Sequence, residues 1–262
     1  MPQFTFSDQL PDPSYKRHTS GANVIAGVGD LGPGFASVKL TSEQNTLISR
    51  TNSQRVIARA VAGQRWKIDI GYNPMTRDEF DPVNSFLMMK QGPLTPFFVT
   101  LPQYSILKNA NWLSTLTNSN GAINSGAVFQ FTTQGASAHA AGTSSILIGS
   151  PNWNVTAVGG VEATALPSPG EIFTINDTSD SNHTKVYMIT YVETRTNYSV
   201  TQPAVAHMRL GISPPLSRSV SSGSTLNFQN PRFKVILPKA VRTYSLDVDN
   251  LYKFSLKLEE YL

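Results

Sequence analysis

RVIARAVAGQRWKIDIGYNPMTRDEFDPVNSFLMMKQGPLTPFFVTLPQY, residues 55–104, holds the reading on which the fold turns. Within it Trp66, Ile68, Ile70 and Tyr72 alternate with Arg65, Lys67, Asp69 and Gly71. A period of two puts four large apolar side chains on one face and the charges on the other, the pattern of an antiparallel strand buried on one side. Residues 55–61 precede it as the expected hairpin partner, turned at Ala62-Gly63. Downstream, Thr76-Arg77-Asp78-Glu79 spells a capping box, and Asp81-Pro82 offers a second helix start with Pro at the first helical position. Pro82 favours the later start or a kink. Val83, Phe86, Leu87 and Lys90 then recur at helical spacing, and Gly92-Pro93 ends the helix before a strand rich in proline and aromatics.

The last thirty residues match this unit in pattern. Phe233, Val235 and Leu237 alternate, and Tyr252, Phe254, Leu256 and Leu258 face away from Lys253, Ser255, Lys257 and Glu259. A strand this regular needs partners, and the earlier apolar-faced strands supply them. The expected first domain is therefore discontinuous, residues 1–103 with 214–262, beginning with an irregular arm over residues 1–40 and a strand over 40–50. Between its halves, residues 104–213 read as short apolar pieces separated by Asn, Ser and Gly, with strands near 127–132, 145–148, 171–175, 185–193 and 204–210. That pattern predicts an inserted all-β domain, a small sandwich or an OB-like barrel. Residues 213–230, SPPLSRSVSSGSTLNFQN, read as a Ser/Pro-rich return linker. The fold class is mainly β with one short helix.

The alternating strand with Trp66, the helix segment FDPVNSFLMMKQG (residues 80–92) and the following PLTPFFVTLPQY (93–104) resemble the N-terminal module of phage distal tail proteins. The terminal run FKVILPKAVRTYSLDVDNLYKFSLKLEEYL (233–262) is similar to the end of the same family, where a final strand closes the sheet. The resemblance implies a non-enzymatic virion protein, assembled in the bacterial host cytoplasm. It would form a hexameric hub ring that joins the tail tube to the baseplate or tip, with other tail and baseplate proteins as partners. A tail-tube or tube-initiator subunit is the alternative within that class. A carbohydrate-binding surface module is the alternative outside it.

Composition fits equally a protein packed into an assembly and a polar, Gly/Ser/Asn-rich β domain. Charged residues are 15% of the 262, well below the roughly 25% of ordinary soluble domains. From Asn109 to Val161 there is no Asp, Glu, Lys or Arg, and depletion of charge is a property of interface cores. The net charge of +4 is spread along the chain, with no basic block longer than Lys16-Arg17-His18, so sequence-specific nucleic-acid binding is not expected. There is no cysteine, which removes disulfide frameworks and thiolate metal sites. The first residues lack the basic and apolar regions of a signal peptide, and no run approaches a membrane span.

Motifs for chemistry are sparse. Gly27-Val28-Gly29-Asp30-Leu31-Gly32 matches G-x-G-x-x-G, but Pro33-Gly34 follows at once and no amphipathic helix opens there to hold a pyrophosphate. His18, His139, His183 and His207 are far apart, outside metal-ligand spacing. Asp78, Glu79 and Asp81 belong to a helix start, where negative charge complements the dipole, and Glu259-Glu260 fall near the end of the sequence. Trp112, Trp153, Tyr191 and Tyr198 could stack on sugars, but read more simply as core aromatics. The sequence nominates no catalytic residue, no cofactor-binding residue, no metal ligand and no cofactor.

Overall fold

The computed structural model describes residues 8–11, 16–17, 30–31, 35–60, 63–104, 108, 128–130, 139–148, 167–177, 179–194, 208–221, 224–228, 231–239 and 243–262. The chain is mainly β and divides into two compact units, Met1–Val99 with Phe233–Leu262, and Thr100–Arg232. In chain order the first part carries β1 (Lys16–Arg17), β2 (Asp30–Leu31), β3 (Phe35–Glu43), β4 (Thr46–Arg50), β5 (Val56–Ala60) and β6 (Arg65–Tyr72). The helix α1 (Arg77–Lys90) and β7 (Phe97–Thr100) follow. The middle holds β8 (Val128–Gln130), β9 (Ser145–Ile148), β10 (Ile172–Asn176), β11 (Val186–Thr194), β12 (Met208–Ser213) and β13 (Thr225–Asn227). The chain then adds β14 (Arg232–Ile236), β15 (Ser245–Leu246), β16 (Tyr252–Lys253) and β17 (Ser255–Glu260).

The first unit is built on a five-stranded sheet ordered β3-β6-β17-β14-β7. Both ends of the sequence feed it. The four-residue face read from the sequence is buried: Trp66, Ile68, Ile70 and Tyr72 are all under a tenth exposed. Its neighbour β17 sets Leu256 opposite Ile70 and Leu258 opposite Ile68, so the two apolar faces point to the same side. Phe233 and Val235 of β14 and Phe97 and Val99 of β7 extend that side. The helix lies against it, with Phe80 meeting Phe254 edge-on at 5.8 Å and Phe86 meeting Phe97 at 5.3 Å. Beyond β7, Asp8 and Leu10 bond to Phe98 through the backbone at 2.6 and 2.8 Å, which closes that edge of the sheet.

The helix takes the earlier of its two start signals. Thr76 is the N-cap, and Glu79 Oε2 accepts from the Thr76 backbone N–H at 2.9 Å and from its hydroxyl at 3.0 Å. Pro82 is accommodated inside the helix. The helix ends at Lys90, after which Gln91 and Gly92 both take positive φ, 53° and 71°. Buried Lys90 places Nζ 5.3 Å over the Phe86 ring and 3.3 Å from Asp8 Oδ1.

The second unit's described strands form one antiparallel sheet ordered β8-β13-β10-β11-β12-β9. Its core contains Ile146, Phe173, Ile175, Tyr187, Ile189, Leu210 and Ile212. Leu216, Val220, Leu226 and Phe228 belong to the same core, which corrects one boundary. The expected return to the first body at residue 214 lies instead at Phe233. The many serines of 213–230 suggested a linker, but the four apolar residues among them are buried and Thr225–Asn227 pairs with both β10 and β8.

Candidate functional site

One element of the first unit leaves its large apolar side chains more than half exposed. Strands β3 and β6 pair from Phe35–Tyr72 to Glu43–Arg65 as part of the sheet. Past Glu43 the chain continues as β4, which pairs with β5 from Thr46–Ala60 to Arg50–Val56. These two strands form a separate two-stranded ribbon, joined to no other strand among the described residues. The expectation that residues 55–61 pair with 64–72 is therefore overturned. The turn at residues 51–55 decides it. Gln54 takes φ 60° and donates to the Thr51 carbonyl at 2.8 Å, while Thr51 N–H reaches the Arg55 carbonyl at 3.0 Å. Thr51 Oγ1 also accepts from the Arg55 N–H at 3.1 Å. Strand β6 meanwhile satisfies its backbone with β3 and β17.

Every residue of β4 is exposed, and so are Val56, Ile57, Ala58 and Arg59 of β5. Leu47 and Ile48 are each 65% exposed, Val56 and Ile57 each 54%. Directly opposed residues of an antiparallel pair share a face. One face thus carries Leu47, Ile57 and Arg59, and the other Ile48, Val56 and Arg50. No carboxylate lies within salt-bridge distance of Arg50, Arg55 or Arg59 among the described residues. A two-stranded ribbon is marginal alone in water. Covering its four aliphatic side chains would contribute about 1.5–3 kcal/mol each at full burial. The ribbon's signal in the sequence is the pair of apolar dipeptides Leu47-Ile48 and Val56-Ile57, since adjacent residues of a strand face opposite ways and leave neither side polar.

The other candidates have structural roles where the structure describes them. Asp30 and Leu31 lie in a strand paired with Lys16 and Arg17, not at a helix start; the motif's three glycines lie outside the described residues. Glu79 serves the capping box, Glu259 pairs with Arg65 at 2.9 Å, and buried Glu260 accepts from the Trp66 N–H at 3.1 Å. His18, His207, Trp112, Trp153 and Tyr198 lie outside the described residues. Tyr191 is 42% exposed. Its ring lies across Gly211, where a Cβ would come within 2.1 Å of the ring. Among the described residues no group of three or more His, Cys, Asp or Glu could hold a metal, and no helix is long and apolar enough to cross a membrane.

The two described histidines help close the second unit. His139 exchanges backbone hydrogen bonds with Val220 at 2.9 and 2.8 Å. His183 is 4% exposed, with Nε2 2.7 Å from the Tyr187 hydroxyl, which accepts in turn from the Ser217 N–H at 3.1 Å. Burial pushes both imidazoles below the ordinary histidine pKa. For His183 the charges of Asp177 and Asp180 oppose that shift and Arg218 adds to it; for His139 the Leu147 backbone opposes it. A histidine whose folded pKa is depressed takes up its proton more readily when unfolded. Its stabilising contribution is complete above the unfolded value near 6.5 and is lost as pH falls below it. The melting temperature of the second unit should therefore fall between pH 7.5 and pH 5. A His183→Gln, His139→Gln variant should lose most of that slope, and calorimetry across the range would show the reverse if the histidines were charged in the fold.

Compared with known proteins, the chain matches no family model and no curated sequence.

Proposed function

We propose that this chain is a structural subunit of a phage tail, a distal tail or baseplate hub protein that assembles into a ring, most simply a hexamer, between tail tube and tip. The observation that carries the reading is the β4–β5 ribbon, which leaves four aliphatic side chains largely exposed and has no further strand partner among the described residues. Natural proteins cover or blunt such edges unless pairing is their purpose. The resemblance of residues 80–104 and 233–262 to the hub family, the low charge content and the absence of a nominated catalytic group point the same way. Function here is assembly: identical copies bury one another's exposed edges, and closure of a head-to-tail contact makes a ring.

Mass photometry over a concentration series should show species well above 28.5 kDa, with six copies as the favoured end point. Negative-stain images should show closed rings. Open filaments would favour the tail-tube subunit. A strict monomer at high concentration, with no association to other tail proteins, would end the hub reading.

A further inference from the structure

The first unit carries a second exposed apolar region, and its charge is opposite to that of the ribbon. Tyr244 and Leu246 are each 54% exposed and Val248, at the tip of the β15–β16 turn, is 95% exposed. The turn is held beside the start of α1: Tyr252 stacks on Phe80 at 4.5 Å and Tyr244 lies 5.1 Å from the same ring. The turn, with Asp247 and Asp249, and the helix start, with Asp78, Glu79 and Asp81, are therefore neighbouring elements. Asp247 is paired with Lys253 at 2.6 Å and Asp81 with Arg77 at 3.4 Å. Asp78 and Asp249 have no cation within salt-bridge distance among the described residues. The turn and helix start thus combine exposed apolar side chains with surplus acid, and the ribbon combines them with three arginines that have no ion-pair partner among the described residues.

The two regions lie at opposite ends of one strand. The ribbon departs from β6 at Arg65, where Glu43 is the last β3 partner. At the other end Tyr72 N–H bonds to Phe254, and Met75 and Tyr252 exchange backbone hydrogen bonds at 3.0 and 2.8 Å, which fixes the acidic turn there. Eight strand residues separate the two regions by about 25 Å.

We infer that the β4–β5 ribbon of each copy docks on the acidic, apolar surface formed by the β15–β16 turn and the first turn of α1 of a second copy. The face that carries Ile48, Val56 and Arg50 covers Tyr244, Leu246 and Val248, and Arg50 meets the acidic side chains of that surface. Two different patches at opposite ends make the contact heterologous, the kind that closes into a ring or runs on as a filament. Opposed charges fix its register and suppress ribbon-to-ribbon pairing. The inference rests on the ring reading and specifies its interface.

The chain has no cysteine, so disulfide trapping is clean. Ile48→Cys mixed with Val248→Cys should give a covalent dimer on mild oxidation, and a chain carrying both should give a ladder up to the ring. In parallel, Arg50→Glu, on the same face as Ile48, should weaken assembly about a hundredfold or more, as juxtaposed like charges do. Adding Asp78→Lys and Asp249→Lys to that chain should restore it. Rings that form without the Ile48–Val248 cross-link, or Ile48→Cys cross-linking to itself, would overturn this interface and leave the hub reading intact. No oligomer from the unmodified chain would sink both.

Discussion

Trp66→Ala should destabilise the first unit by about 3–5 kcal/mol, the range found when a buried large aromatic is emptied to alanine. The indole is 4% exposed and leads the β6 face that continues through Ile68, Ile70 and Tyr72. It meets Phe233 of β14 edge-on at 6.3 Å, so it packs against a strand from the other end of the sequence. Its backbone N–H is held by buried Glu260 of β17 at 3.1 Å. That bond survives truncation of the side chain, so the loss measured is one of packing. Chemical denaturation followed by Tyr fluorescence would give the difference directly. Leu47→Ala on the ribbon is the contrast, because a side chain 65% exposed has little packing to lose in the isolated subunit. Equal midpoints for Trp66→Ala and the unmodified chain would mean that the β6 face is not core.

The contrast between these residues also explains what the sequence disclosed. Wherever one side of an element is buried, the period is explicit: β6 and β17 alternate strictly, and α1 buries Phe80, Val83, Phe86, Leu87 and Lys90. Those elements, and the mainly β class with one helix, were legible. Tyr252 was grouped with the β17 face but lies in β16 and stacks on Phe80, because the chain breaks at Phe254 and changes strand partner. The ribbon's pairing was not legible, since adjacent apolar residues on both sides of a strand give no period that tells a buried face from an exposed one. The wrong pairing followed from scoring Ala62-Gly63 as a turn while Thr51 and Gln54, a less obvious turn pair, did the work. The return boundary failed for a different reason. Four well-spaced apolar residues, Leu216, Val220, Leu226 and Phe228, were outweighed by the serines around them, although burial follows the apolar residues.

Deleting β17 should abolish the first unit, while deleting the whole second unit should leave it folded. Strand β17 occupies the centre of the order β3-β6-β17-β14-β7. Ending the chain before Phe254 removes Phe254, Leu256 and Leu258 from the core. It leaves Ile68 and Ile70 without their cross-strand neighbours and Trp66 without the carboxylate that holds its N–H. It also splits the sheet into two pairs of strands that share no backbone hydrogen bonds, and a two-stranded piece is marginal on its own. Excision is a different operation. Val99 ends the first segment of the unit within β7, and Phe233 resumes it within β14. These two strands are neighbours in the sheet, so a Gly/Ser connection long enough to span one short strand joins the cut ends at a modest cost in loop entropy. Residues 1–99 joined to 233–262 should therefore melt cooperatively with native near-UV circular dichroism, and the chain ending at residue 253 should show neither. Were the truncated chain to stay folded while the excised one did not, the two ends of the sequence would belong to separate bodies, and the shared sheet between Trp66 and Phe233 would be wrong.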